Sequence, residues 1–108
     1  MLLKKNRADR KAIEKIFKDG RFLNSPNLTF KFLIKKNSTT PQISFIAPKS
    51  VAKLAVKRNL LRRRGYGVLN KYINQFPSGV LGVFLFKKYQ DDVLTIENEI
   101  KNILSKIN

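Results

Sequence analysis

Side-chain catalysis near neutral pH needs a poised base, an activated nucleophile or a metal clamp, and the 108-residue chain contains no histidine and no cysteine. Its close carboxylates are Asp91 with Asp92 and Glu97 with Glu99. All four fall near the expected start of the last helix, where acids complement the macrodipole. Helix-start stabilisation is therefore a better reading of them than a metal site. Gly65-Tyr66-Gly67 lacks the spacing of a phosphate-binding loop and sits inside a helical pattern. The polypeptide alone is a poor candidate for a catalyst. What it offers instead is cationic: residues 49–72 hold Lys49, Lys53, Lys57, Arg58, Arg62, Arg63, Arg64 and Lys71, and no acid.

At 100° per residue, Leu54, Leu61, Val68 and Tyr72 share one side of a helix, while Asn59, Arg62, Arg63 and Tyr66 turn away from them. Arg62, Arg63 and Arg64 in succession repel one another, with no Asp or Glu within helical reach. A polyanion would supply the missing counter-charge. A solvated helix face is the usual meaning of a charge run, but this run is single-signed and interleaved with Asn59 and Tyr66, which favours nucleic acid.

The whole composition agrees. Twenty-three Lys and Arg against seven Asp and Glu give a net charge of +16, a field that attracts phosphate-rich partners. The acids are confined to Asp9, Glu14, Asp19 and the stretch from Asp91 onward, so residues 20–90 carry fourteen basic side chains unopposed. The middle of the chain should build the anion-binding surface. At this length one domain over residues 1–108 is expected, with 43% apolar residues to fill its core. The absence of cysteine suits a reducing cytosol. The short apolar run in Met1-Leu2-Leu3-Lys4-Lys5 is no signal peptide, and no span approaches transmembrane length. A cytoplasmic protein is expected, with no membrane and no small-molecule substrate as partners.

Residues 1–6 read as a basic, flexible tail. Ile13, Ile16 and Phe17 mark a helix over residues 7–19, which Gly20 ends. A short strand follows at Arg21 to Leu23. Leu28, Phe30, Phe32 and Ile34 alternate along a strand, residues 36–41 read as a hairpin connection, and Gln42 to Ala47 reads as its antiparallel partner with Ile43 and Phe45 inward. The basic helix is expected from about Val51 to Phe76, loosened at Gly65 and Gly67. Residues 80–86 form a continuous apolar run, as a strand covered on both faces would. Val93, Ile96, Ile100, Ile103, Leu104 and Ile107 define a last amphipathic helix. The order is that of an α+β or α/β sandwich whose strand-helix-strand crossover encloses the basic segment. The strand phenylalanines read as core. Phe17, between basic neighbours, can equally stack an unpaired base, and Tyr66 reads as lying on the RNA face.

The segment Ala55-Val56-Lys57-Arg58-Asn59-Leu60-Leu61-Arg62-Arg63, with Phe17-Lys18-Asp19-Gly20-Arg21 and Ile46-Ala47-Pro48-Lys49-Ser50 at fitting distances, resembles the protein subunit of bacterial ribonuclease P. The resemblance runs from Arg7 to Ile107. It implies an α+β fold, a two-layer α/β sandwich of order α-β-β-β-α-β-α, with a left-handed crossover around the basic helix, against the general right-handed rule. It also implies the ribonuclease P catalytic RNA and precursor tRNA as partners. The RNA would remove the 5′ leader with Mg²⁺ bound mainly by the RNA. Arg58, Asn59, Arg62 and Arg63 would be signature RNA contacts and Lys49 a basic residue at the motif's entrance. Lys53, Lys57, Arg64 and Tyr66 extend the RNA-binding set, and Phe17, Lys31 and Ile13 match the leader-binding cleft. The sequence departs from the family at Leu60 and Tyr66, where signature arginines are usual, and at Ile13, a position often aromatic. A plain RNA-binding protein of ribosomal or chaperone type is the alternative.

Overall fold

The computed structural model describes residues 6–35 and 40–107. Helix α1 spans Arg10–Asp19, and strands β1 (Arg21–Asn24), β2 (Leu28–Ile34) and β3 (Gln42–Ile46) follow. Helix α2 spans Ala55–Tyr72 and runs into a 3-10 turn at Ile73–Gln75. Strand β4 (Val80–Phe86) and helix α3 (Val93–Ile107) complete the chain. The fold is α+β, in the order expected. The tail expected over residues 1–5 and part of the hairpin connection, residues 36–39, lie outside the described residues. Asn6 is no tail residue: it is buried, and its side-chain amide donates to the Pro41 carbonyl at 3.1 Å.

The sheet order is β1-β2-β4-β3. β1 and β2 pair antiparallel, as do β2 and β4, whereas β3 runs parallel to β4. The hairpin expected between β2 and β3 is therefore not formed, because β4 lies between them. Alternating hydrophobicity assigns a strand its inward face but leaves its neighbour open. The parallel pair β3 and β4 is joined by the crossover that contains α2.

One face of the sheet carries Leu28, Phe30, Phe32, Ile43, Phe45, Phe84 and Phe86 into the main core with α2 and α3. Its rings are in contact: Phe30 and Phe84 have centroids 4.3 Å apart, and Phe45 and Phe84 5.0 Å. Each of these buried rings stabilises the fold by about 1.5–3 kcal/mol. The opposite face presents Leu81 and Val83 to Ala8 and Ile16, with Ile13, Leu33, Ile46 and Leu85 partly buried around them. β4 is thus covered on both sides, α1 lying across the second. Ile34 departs from the expected pattern, being 51% exposed at the end of β2.

Local chemistry sets the helix ends. Asp9 is the N-cap of α1, its carboxylate accepting from the Ala12 amide at 2.8 Å. Gly20 closes the helix, its backbone N–H donating to the Ile16 carbonyl at 2.7 Å. Its backbone is extended rather than left-handed. Glycine is required by close approach: a Cβ there would lie 2.4 Å from the Ile16 oxygen.

α2 begins at Ala55, four residues later than the sequence reading placed it, because Val51 and Ala52 donate to the Pro48 carbonyl in a turn. Leu54 is its N-cap and is 62% exposed, so it does not share the buried stripe of Leu61, Gly65, Val68 and Leu69. The helix is continuous through Gly65 and Gly67. In α3, Asp92 caps the first turn by accepting from the Leu94 amide at 3.0 Å and the Thr95 hydroxyl at 2.9 Å. Glu97 and Glu99 do not serve the helix start: Glu97 accepts from the Tyr72 hydroxyl, and buried Glu99 accepts from the Ser25 hydroxyl, the Asn27 amide and the Asn27 side chain. No helix among the described residues is long and apolar enough to cross a membrane.

Candidate nucleic-acid interface

Asn59, Arg62, Arg63 and Tyr66 recur along α2 at the spacing that stacks side chains on one helical face. Together with Gly67 and with Arg7, from the segment before α1, they line a groove of about 450 Å³. Arg62 donates to the Asn59 side-chain oxygen, which orients the guanidinium. A second hollow of about 360 Å³ adjoins it, lined by Val56, Lys57, Asn59, Leu60 and Arg63. Asn59 and Arg63 border both. Among the described residues no carboxylate lines either one, so the charged side chains walling the two adjoining concavities are all of one sign.

Arg58 is half-buried and turned back on the chain, its Nη1 donating to the carbonyls of Ala52 at 3.0 Å and Lys53 at 2.7 Å. That clamps the loop bearing Lys49 and Lys53 against the first turn of α2. Both lysines are exposed in this loop rather than on the helix. Lys57 is exposed on the helix, its ammonium 5.8 Å from the ring centre of Tyr89.

Arg64 leaves the ridge altogether. Its Nη1 reaches the Gln90 carbonyl at 3.2 Å and Asp91 at 3.3 Å, the one ion pair among the described residues, with Tyr89 beneath it. Its charge is spent holding the loop after β4. Tyr66 is also structurally engaged: it is half-buried, its ring meets Phe45 edge-on at 5.1 Å, and its hydroxyl accepts from the Phe45 amide at 3.1 Å. That bond satisfies an outward-pointing donor on the free edge of β3. Only the rest of the side chain faces the groove.

The second region lies beside α1. Phe17 is 43% exposed, and the Lys31 ammonium lies 4.9 Å from its ring centre. Ile13, one turn earlier, is half-buried against the cluster of Ile16, Leu81 and Val83. The three residues expected in the leader cleft thus lie on one side of the sheet, Phe17 exposed beneath Lys31 and Ile13 half-buried. Phe22, opposite Lys31 in the pairing of β1 with β2, adds an aromatic that is 61% exposed on the same face. The next row across the sheet is Asn24, Thr29, Leu85 and Ile46, with the Thr29 hydroxyl donating to Asn24 at 2.8 Å.

Phe22 and Arg7 were not singled out from the sequence. Phe22 lies in a strand of only four residues, too short for alternation to assign its face. Arg7 reads as the first residue of the first helix, whereas α1 begins only at Arg10. Among the described residues no three carboxylates gather in a group able to hold a metal.

A family model described as Ribonuclease P matches residues 3–108. No curated protein matches the sequence. Among solved structures, the ribonuclease P protein from Thermotoga maritima is 20% identical, covers 94% of this chain and 97% of its own, and superposes with a TM-score of 0.81. A Staphylococcus aureus ribonuclease P protein mutant with defective mRNA degradation activity is 16% identical over 95% of this chain and 88% of its own, with a TM-score of 0.82. Another structure of the Staphylococcus aureus protein covers 99% of this chain and 93% of its own at 17% identity and a TM-score of 0.77. These likenesses establish the fold and are consistent with the left-handed crossover.

Proposed function

Because the chain belongs to the ribonuclease P protein family, the protein subunit of the endoribonuclease that processes tRNA, we propose that it binds the catalytic RNA of that enzyme through the α2 grooves and the 5′ leader of precursor tRNA beside α1. The observation that carries this reading is a pair of adjoining concavities walled by Arg7, Arg62, Arg63 and Lys57, with no carboxylate among their lining residues. Phosphate groups are the counter-charge such walls lack, and binding them releases the RNA's condensed counterions.

In this reading Arg62, Arg63 and Asn59 contact phosphates directly, while Lys49, Lys53 and Lys57 add exposed charge along the entrance. Arg58 acts by fixing the loop that carries two of those lysines. Phe17 offers an open ring on which an unpaired leader base can stack, worth about 1–3 kcal/mol per base, and Lys31 sits within reach of the phosphate next to it. Ile13 keeps the floor of that cleft apolar.

Bond cleavage belongs to the RNA in this reading. The polypeptide has no histidine or cysteine to serve as base or nucleophile, and Asp9, Asp91, Asp92, Glu97 and Glu99 are engaged in caps and in contacts between elements. Mg²⁺, the cofactor the family resemblance implies, would supply Lewis-acid chemistry at the scissile phosphate. Among the described residues no three carboxylates gather into a site that fits it, so the RNA would be its main ligand. What the protein's own residues do is bind, orient and neutralise. The proposed setting is the cytoplasm.

Reconstitution tests the proposal. The protein is mixed with the ribonuclease P RNA and precursor tRNA of its organism at low Mg²⁺. Processing above that of the RNA alone is the expected result. Tight RNA binding with no stimulation would instead make the protein a plain RNA-binding module.

A further inference from the structure

Resting on that functional reading, we infer that Arg7, which lies outside the basic helix and before α1, completes with Arg62 and Asn59 a seat for one RNA phosphodiester. Its backbone is pinned on both sides. Asn6 is buried and bonded to the Pro41 carbonyl, and the Ala8 carbonyl accepts from the buried Ser44 hydroxyl at 2.7 Å. The guanidinium is placed as firmly: its central carbon lies 4.6 Å from the centre of the Tyr66 ring, and that ring is held by its hydroxyl bond to the Phe45 amide.

The arginine so placed is not satisfied by the protein. Its Nε is buried with no hydrogen-bond partner among the described residues, and a buried donor without an acceptor is costly. Arg64 shows the contrast, its guanidinium being matched to Asp91 and Gln90. Arg7 shares its groove with Arg62 and Arg63 and with no acid, so three guanidinium groups face one space without a counter-ion. A planar fork suits the tetrahedral oxygens of phosphate, which it can engage by two bonds. The groove is open on the Gly67 side, where nothing lies within 4 Å of a would-be Cβ.

The geometry favours a phosphate over a base. Arg7 already covers one face of Tyr66 and Phe45 meets the ring edge-on, so the ring is a platform for the arginine. The effect is to carry the phosphate-binding track from α2 across the edge of β3 to the segment that leads into α1.

The test measures affinity of the full-length chain for ribonuclease P RNA over a range of salt, for the wild type and for Arg7→Ala, Arg7→Lys and Arg7→Met. Arg7→Ala is expected to bind about tenfold more weakly at moderate salt and to flatten the dependence of log affinity on log salt by about 0.7–0.9. Arg7→Lys should keep the wild-type slope while regaining only part of the affinity, since it lacks the planar fork. Arg7→Met keeps an apolar stem against Tyr66, so it reports the loss of charge if Arg7→Ala unfolds in a parallel urea titration. A neutral variant with wild-type affinity and slope overturns the assignment, as does one with lower affinity and an unchanged slope. Failure of the wild type to bind with steep salt dependence would instead overturn the functional reading beneath it.

Discussion

The ring of Phe45 fills the space in which any side chain on Gly65 would begin: a Cβ there would lie 2.6 Å from its Cε1 atom. α2 and β3 are packed at glycine distance, and this sets the height of the cationic face above the sheet. Gly65→Ala is expected to destabilise the protein by about 1–3 kcal/mol, because Phe45 is itself wedged against Phe84 and Tyr66. Gly67→Ala meets nothing within 4 Å and should stabilise by about 0.5–1 kcal/mol. Urea midpoints of the two variants should move in opposite directions, and a shared direction would refute the packing account.

Glu99 gathers three donors from the β1–β2 turn onto α3. Replacing it with alanine strands those donors in a site where the residue is only 5% exposed. A loss of about 3 kcal/mol is expected, read as a lower urea midpoint with little change in RNA affinity.

Tyr72 donates to Glu97 across the α2–α3 contact. That hydrogen bond, followed by burial and the carboxylate's charge, raises the phenol above its usual 10.0. A raised folded-state value favours the protonated form of the native protein. The stabilisation is therefore complete below pH 10 and is lost as pH rises through the raised value. The stability difference between wild type and Tyr72→Phe should shrink above pH 10, as followed by urea unfolding in alkaline buffers. A difference that does not change with pH would remove the titration from the account.

Adjacent arginines should behave differently. Arg63 faces both grooves, so Arg63→Ala should weaken RNA binding and flatten its salt dependence by about 0.7–0.9. Arg64 is turned to Asp91, Gln90 and Tyr89, so Arg64→Ala should leave the slope nearly intact and cost about 0.5 kcal/mol of stability. Equal slopes for the two variants would mean that the ridge is not the binding face.

The helices and strands were legible because burial follows period: Ile13 and Ile16, Phe30 and Phe32, and Ile96, Ile100 and Ile103 each sit where their spacing puts them. Pairing was not legible. Gln42 to Ile46 reads as a partner for β2 because the two are close in sequence, and only the tertiary structure inserts β4 between them. Among the candidate site residues, periodicity placed Asn59, Arg62 and Arg63 on one face correctly. It had no means of showing that Arg64, one residue on, finds an acid 27 positions away, or that Tyr66 caps the edge of β3. Lys53 fell outside the helix because Pro48 imposes a turn that delays the start of α2.

Of the two inner strands of the sheet, β2 and β4, the second is the last strand to be made. Among the described residues β4 is the strand with which β3 pairs, and it flanks β2 along seven residues. A nascent chain that has not yet emerged through Phe86 can close only the small β1–β2 hairpin, and both prospective neighbours of β4 keep a bare edge. Such long-range closure slows folding and leaves the partly made polypeptide open to faulty association. Synthesis of the final quarter thus becomes the committed step in maturation, and interruptions of translation shortly before residue 80 should be the ones that send product to aggregates.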